Sequence, residues 1–259
     1  MKRKLLCGLL AAAALCLPVQ AARPAALQVD GELLNTSVHV VNGASYVPLR
    51  DLLEALGDWT VWWDGSAARA VSEDAFLSAD PGGGALTVNG SRYPCTVSVV
   101  EGRTYVPLRL TMEALGGSVQ WDPWLGGAAV TSPGAEHNAA DFYWLSRIIH
   151  AESGGEALEG QIAVGNVVLN RVASGDFPDS IPEVIFDDEN GVQFEPAANG
   201  TLLNEPTELS REAARRALSG ENTAGDALYF FAPALSQGTW IASSRTYHSL
   251  LNTSDAAAD

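Results

Sequence analysis

Two stretches of this chain spell the same unit. VVNGASYVPLRDLLEALG begins at Val40 and VVEGRTYVPLRLTMEALG at Val99, so Tyr46 and Tyr105 correspond at a spacing of 59 residues. LQVDGELL at Leu27 and LTVNGSRY at Leu86 precede them, and Trp63-Asp64 and Trp121-Asp122 follow, with one residue lost in between. A unit repeated at a fixed period builds the same supersecondary element each time, and neighbouring copies bury a common core. Residues 27–131 are thereby set apart from the rest of the chain.

Within each copy, apolar residues alternate around Asp30-Gly31, Asn42-Gly43, Asn89-Gly90 and Glu101-Gly102, the pattern of hairpins with two-residue turns. Pro48 and Pro107 close the second strand of each copy. Short helices over Asp51 to Leu56 and Thr111 to Leu115 run into a glycine, and the WTVWWDG and VQWDPWLGG stretches supply a further strand and turn. Each unit reads as ββαβ-like, and the two share one sheet-based core. The shared elements YVPLR, EALG and WD offer turn, cap and core residues but no nucleophile, metal cluster or phosphate loop. His39 stands in one copy only, which weakens a metal reading of it. These repeats resemble the copper amine oxidase N-terminal-like stalk module. The resemblance implies neither a copper site nor oxidase activity here, and a spacer or adhesion role is expected, with a wall or surface polymer as its partner.

The chain begins MKRKLLCGLLAAAALCLPVQA, a basic segment, an apolar run and a small-residue cleavage site. This pattern predicts a secretory signal over residues 1–21, too short to span a bilayer, and a secreted product. Removing Lys2, Arg3 and Lys4 takes the formal net charge from -16 to -19. A chain so acidic does not bind nucleic acid or anionic membranes through bulk charge. Only Cys95 remains after cleavage, so no intramolecular disulfide is available and Cys95 reads as a small buried hydrophobe. No later segment is apolar enough to cross a membrane. SPGAEHNAAD, residues 132–140 with Asp141, is small, polar and aperiodic, the composition of a linker, and His137 within it reads as solvated.

From Asp141 to residue 259 the periodicity becomes helical. Phe142, Leu145, Ile148 and Ile149 share one face of a helix that Asn138 or Asp141 caps and that carries Glu152 at its C-terminal end. Gly154-Gly155 interrupts it. Leu158 to Val172 is nearly all apolar, as for the buried centre of a domain, and Ser210 to Leu218 is a third helix. FPDSIPEVIF and GVQFEPAANGT, punctuated by Pro and Gly, read as loops walling a cleft, and LYFFAP as a strand. The fold class is therefore α+β: a β-rich two-repeat module followed by a mostly helical domain.

Glu152 held against apolar surface has its charged form disfavoured, which suits a general acid for glycosidic cleavage. Glu156, four residues on, is either a second carboxylate at retaining-glycosidase separation or an acid beginning the next helix. His150-Ala151-Glu152 matches the H-x-E of zinc deaminases, but the partner P-C-x-x-C is missing and so is HExxH. No metal or cofactor is expected. No G-x-S-x-G elbow is present either.

The segments AESGGEALEGQIAVGNVVLNRVASGDFPDSIPEVIF, VQFEPAANGT and GENTAGDALYFFAP, in order and at sensible spacing, resemble the SleB-type cell-wall hydrolases, the spore-cortex-lytic enzyme family. The resemblance spans residues 144–247. It implies a lysozyme-like helical fold, peptidoglycan glycan strands as substrate, and lytic transglycosylase action with Glu152 as the catalytic acid of the A-E-x-x-G-E motif. In that chemistry Glu152 protonates the bond between N-acetylmuramic acid and N-acetylglucosamine. Its carboxylate then takes a proton from the sugar 6-hydroxyl, which closes a 1,6-anhydro ring. Gln193, Phe194, Tyr229 and Glu156 are the candidate substrate contacts. A hydrolytic muramidase and a non-catalytic wall binder are the alternatives. After Arg245-Thr246-Tyr247 the chain reads HSLLNTSDAAAD in place of the family's I-G-x-H-x-F-Y ending.

Overall fold

The computed structural model of the protein describes residues 25–189, 191–231 and 247–249. The expected signal, residues 1–21, lies outside them, as does the end of the C-terminal tail. The first repeat forms the hairpins β1 (Ala26–Val29) with β2 (Glu32–Leu33) and β3 (His39–Val41) with β4 (Ala44–Pro48). Helix α1 (Leu49–Ala55) and strands β5 (Thr60–Trp63) and β6 (Ala68–Val71) complete it. After β7 (Phe76–Asp80), the second repeat forms β8 (Ala85–Val88) with β9 (Ser91–Pro94), β10 (Ser98–Val100) with β11 (Arg103–Pro107), α2 (Leu108–Leu115), β12 (Ser118–Asp122) and β13 (Gly127–Thr131).

All four expected turns are two-residue loops with both central residues at positive φ: 48° and 89° at Asp30-Gly31, 52° and 79° at Asn42-Gly43, 47° and 83° at Asn89-Gly90, 49° and 76° at Glu101-Gly102. That is the turn whose twist matches a right-twisted strand pair. The helices begin two to three residues earlier than the sequence implied. Pro48 and Pro107 are extended and serve as N-caps, so Leu49 and Leu108 already lie in the first turn and are buried. α2 stops on Gly116 at φ 91°, the left-handed C-cap that glycine accommodates without strain. The arginine of YVPLR has a structural task in both copies. Arg50 Nη2 donates to the Val61 carbonyl (2.8 Å) and Arg109 Nη1 to the Val119 carbonyl (2.6 Å), tying each helix start to the following strand.

The repeats are interleaved rather than stacked. One sheet runs β12-β13-β1-β2, closing the second copy onto the first through the parallel pair of β1 with β13. A second, β10-β11-β4-β3, joins the two central hairpins. The third, β5-β6-β7-β8-β9, joins the end of the first copy to the start of the second through β7, a strand the repeat pattern does not contain. The expected common core is present, built from Leu27, Val47, Leu52, Leu53, Leu86, Val106 and Met112 among others.

The C-terminal half is helical: α3 (Ala139–Ser153), α4 (Leu158–Ala173), α5 (Ile181–Phe186), α6 (Glu195–Asn199) and α7 (Glu208–Leu218). β14 (Tyr229–Phe231) pairs in parallel with β15 (Tyr247–Ser249). Asn138 caps α3, its side chain accepting from the Ala140 (2.9 Å) and Asp141 (3.2 Å) amides. α3, α4 and α7 pack closely at Gly165, where a Cβ would lie 2.9 Å from Ile149 Cδ1 and 3.1 Å from Ala217 Cβ. The two stretches read as loops each hold a helix. In both, proline sits in the first helical turn, where its missing N–H costs nothing; Ser180 caps α5 and Gly200 at φ 83° ends α6.

The two halves touch. Trp144, fully buried on α3, donates its indole N–H to Asp122 Oδ2 at 2.7 Å, while Asp122 Oδ1 accepts from the Trp124 and Leu125 amides. Trp124 stacks on Phe186 (5.6 Å, 9°), and Arg211 pairs with Glu32. His137, read as solvated, has a side chain only 15% exposed, its Nε2 lying 3.3 Å from Ser219 Oγ.

Candidate active site

Glu152 is the penultimate residue of α3, half-buried where the helix gives way to Gly154. Burial pushes its carboxyl pKa up, the neighbouring Glu195 carboxylate pushes the same way, and Arg171 opposes both. Helix α3 ends at Ser153, so Glu156 does not occupy a helical i,i+4 position. It lies in the turn before α4 instead, its amide donating to the Ser153 carbonyl at 2.9 Å. That turn is pinned by the fully buried Gln161. Its Nε2 donates to the Glu156 carbonyl (2.9 Å) and its Oε1 accepts from Ser210 Oγ (2.8 Å). Glu156 Oε2 is buried without a hydrogen-bond partner among the described residues.

Arg171, near the end of α4, is the feature that sequence reasoning missed. It is only 5% exposed, its Nε donates to the Leu228 carbonyl at 2.9 Å, and its guanidinium carbon lies 5.1 Å from the ring of Phe177, 5.0 Å from Phe194 and 5.2 Å from Tyr229. Aromatic faces attract a cation most strongly where water is excluded. Burial lowers its pKa, opposed by Tyr229, Asp187 and Glu152, yet a guanidinium stays charged in such a setting. Its fixed positive charge acts on Glu152, lowering that carboxyl's pKa against the effect of burial. The one sequence signal for it was an arginine in the last turn of an otherwise apolar helix.

The other expected residues divide. Tyr229 is half-buried on β14, its ring 6.5 Å from Phe177 and close to Arg171. Phe194, the residue capping α6, is only 2% exposed and packs between Arg171 and Phe230, so its ring backs the site from within the core. Gln193 is half-buried, with Nε2 donating to the Gly191 carbonyl at 2.9 Å. Glu195, in the first turn of α6, was not singled out from sequence and is the carboxylate acting on Glu152. Among the described residues no group of three or more His, Cys, Asp and Glu side chains is arranged to hold a metal ion.

A helix-end carboxyl with a raised pKa, a caged arginine and a second carboxylate make a site suited to proton transfer within a domain of the cell wall hydrolase family, to which the chain belongs. The family profile described as Cell Wall Hydrolase matches residues 155–252, beginning just past Glu152, and that of the Copper amine oxidase N-terminal domain matches residues 28–126. The cell wall hydrolase CwlJ of Oceanobacillus iheyensis is 32% identical over 104 residues, 38% of this chain and 72% of that protein. The spore cortex-lytic enzyme of the same organism is 34% identical over 116 residues, 45% of this chain and 41% of that protein. The chain therefore spans about two fifths of that relative. The solved catalytic domain of the germination-specific lytic transglycosylase SleB from Bacillus anthracis is 34% identical, covering 41% of this chain and 84% of the other at a TM-score of 0.37.

Proposed function

We propose that the protein is a secreted wall-lytic enzyme that cleaves the N-acetylmuramic acid–N-acetylglucosamine bond of peptidoglycan as a lytic transglycosylase, with Glu152 as its acid and then its base. The supporting observation is the pairing of a carboxyl whose pKa burial raises with the fixed cation Arg171 that acts on it. The raised pKa keeps a proton available for the leaving oxygen. Once that proton is given up, the Arg171 charge stabilises the carboxylate and limits its basicity until the substrate's 6-hydroxyl approaches. Closure of the anhydro ring returns the proton to Glu152. Each step needs one protein carboxyl only. Tyr229 borders this space and is the aromatic candidate for sugar contact.

Glu195 supports a second reading. A second carboxylate near Glu152 can activate water in place of the 6-hydroxyl, giving a hydrolytic muramidase with reducing ends. Mass spectrometry of digested, purified peptidoglycan separates the two. Anhydro-muropeptides that vanish in Glu152→Gln and persist in Glu195→Gln support the transglycosylase. Reducing-end products lost in both variants support the hydrolase. One positioned acid–base group is worth roughly 10²–10⁴ in rate, so loss at Glu152 should be at least that large.

A further inference from the structure

The repeat domain holds a groove of its own. It is a cavity of about 480 Å³ between α1, β5 and the β10–β11 hairpin, within the roughly 300–1,000 Å³ range of small-molecule sites. Trp62 and Trp63, 40% and 50% exposed, are neighbours on the edge strand β5 that borders it, and their side chains take opposite faces: Trp62 lies toward Phe76 (ring centroids 6.5 Å apart), while Trp63 shares the groove face with Val61 and Ala68. Its polar wall is an ion pair. Arg103 Nη2 donates to Asp51 Oδ1 at 2.7 Å, and Asp51 also accepts from Thr36 Oγ1, so the carboxylate and the guanidinium are both held in place at the groove wall. Arg50 braces the tryptophan strand through its bond to the Val61 carbonyl.

The internal repeat supplies a control. Correspondence of the copies places Arg109 where Arg50 stands, Val119 where Val61 stands and Trp121 where Trp63 stands. The bracing bond is kept, since Arg109 donates to Val119 in the same way. Three lining positions are not: Leu110 replaces Asp51, Ala44 replaces Arg103 and Gln120 replaces Trp62. Most of the remaining wall agrees between copies, Trp63 with Trp121 included. What sets the first groove apart is the charge-neutral donor–acceptor pair of Arg103 and Asp51 beside its tryptophan.

That combination fits a saccharide. A pyranose presents a face of C–H groups that rests on an electron-rich indole, and a rim of hydroxyls and amides that takes the fork of an arginine and the oxygens of a carboxylate. An uncharged sugar also suits a chain of net charge -16, which repels polyanions. We propose that this groove binds N-acetylhexosamine glycan, a second carbohydrate site separate from the one at Glu152. The choice of glycan rests on the reading of the chain as a wall enzyme; the groove itself rests on geometry alone.

The test uses the full chain carrying Glu152→Gln, so that nothing is turned over, titrated calorimetrically with N-acetylglucosamine tetramer and with glycan strands stripped of peptide. Two binding events are expected, one of them weakened about tenfold or more by Trp63→Ala or Arg103→Gln and partly restored in Trp63→Phe. Trp121→Ala, the same change in the copy without the Arg103–Asp51 pair, should alter nothing. Groove variants with Glu152 intact should digest soluble glycan fragments as the parent does and be retained less on insoluble wall. A single binding event indifferent to Trp63→Ala and Arg103→Gln overturns the proposal, and so does equal loss in Trp121→Ala. If the groove binds while no parent protein digests wall, the enzymatic reading fails and the groove stands.

Discussion

At the scale of single residues, Glu152 links stability to catalysis. Its folded-state pKa lies above the ordinary 4.5, chiefly because burial penalises the charge. The folded protein therefore holds this proton more tightly than the unfolded chain does, and stability attributable to Glu152 is complete below the unfolded value and lost as pH rises through the folded one. Glu152→Gln, which carries no charge at any pH, should then melt higher than the parent at neutral pH and coincide with it in acid. Thermal melts across pH 3 to 8, a range that brackets ordinary carboxyl titration, measure this directly; a variant that melts lower at neutral pH would show that the carboxylate is held by contacts that favour its charge. Activity should follow the same group, falling as pH climbs through the raised pKa. The direction of this shift was legible in the sequence, as an acid held against an apolar helix. Its charged neighbours were not: Glu195, which adds to the shift, stands forty-three residues on in the chain, and Arg171, which opposes it, comes from the far end of the next helix.

At the scale of elements, local chemistry was legible wherever one or two residues decide the backbone. The Asx-Gly and Glu-Gly pairs fold as the turns they imply, Asn138 caps α3, and Pro48 and Pro107 end their strands. The short helices α1 and α2 were legible, but α5 and α6 were not, because each carries in its first turn a proline of the kind that also marks loops. The capping pair Ser180 and Glu183 was the signal available: Ser180 Oγ donates to Glu183 Oε2 at 2.7 Å. β7 was missed for a different reason, since it belongs to neither copy and exists to bridge β6 and β8. The opposite closure has no such bridge. There β13 lies directly along β1, so closely that a Cβ on Gly127 would fall 2.0 Å from the Ala26 carbonyl oxygen. Neighbouring backbone cannot yield as a side chain does. Gly127→Ala should accordingly cost about 1–3 kcal/mol, the usual price of overpacking, whereas Gly175→Ser, at an exposed turn with ordinary φ and nothing near its Cβ, should cost less. Denaturant melts of the two variants decide it, and equal stability would mean that β1 is not held against β13 in solution.

At the scale of the whole molecule, the repeats differ in what their WD motif does. In the first copy Asp64 closes its own turn, accepting from the Ser66 and Ala67 amides (2.8 Å each) and from Arg69, contacts that hold its carboxyl far below the usual range. In the second copy the strand pairing runs one step further, to Asp122 opposite Gly127, the turn beyond it carries Trp124, and Asp122 spends its second oxygen on Trp144 of the helical half. A repeat that folds itself in one copy thus docks a neighbour in the other. The exposed residues 133–136 between the halves are the place where we expect limited proteolysis to divide the chain, yet Trp144–Asp122, Trp124–Phe186 and Glu32–Arg211 should keep the nicked pieces together through gel filtration. Asp122→Ala leaves a buried indole N–H unpaired, a loss of about 1–3 kcal/mol, and frees the Trp124 turn as well. Its nicked fragments should separate on the same column. Parent fragments that part as readily as those of Asp122→Ala would mean that the two halves are joined by the chain alone, and that the orientation of the groove toward the catalytic site is not fixed by this contact.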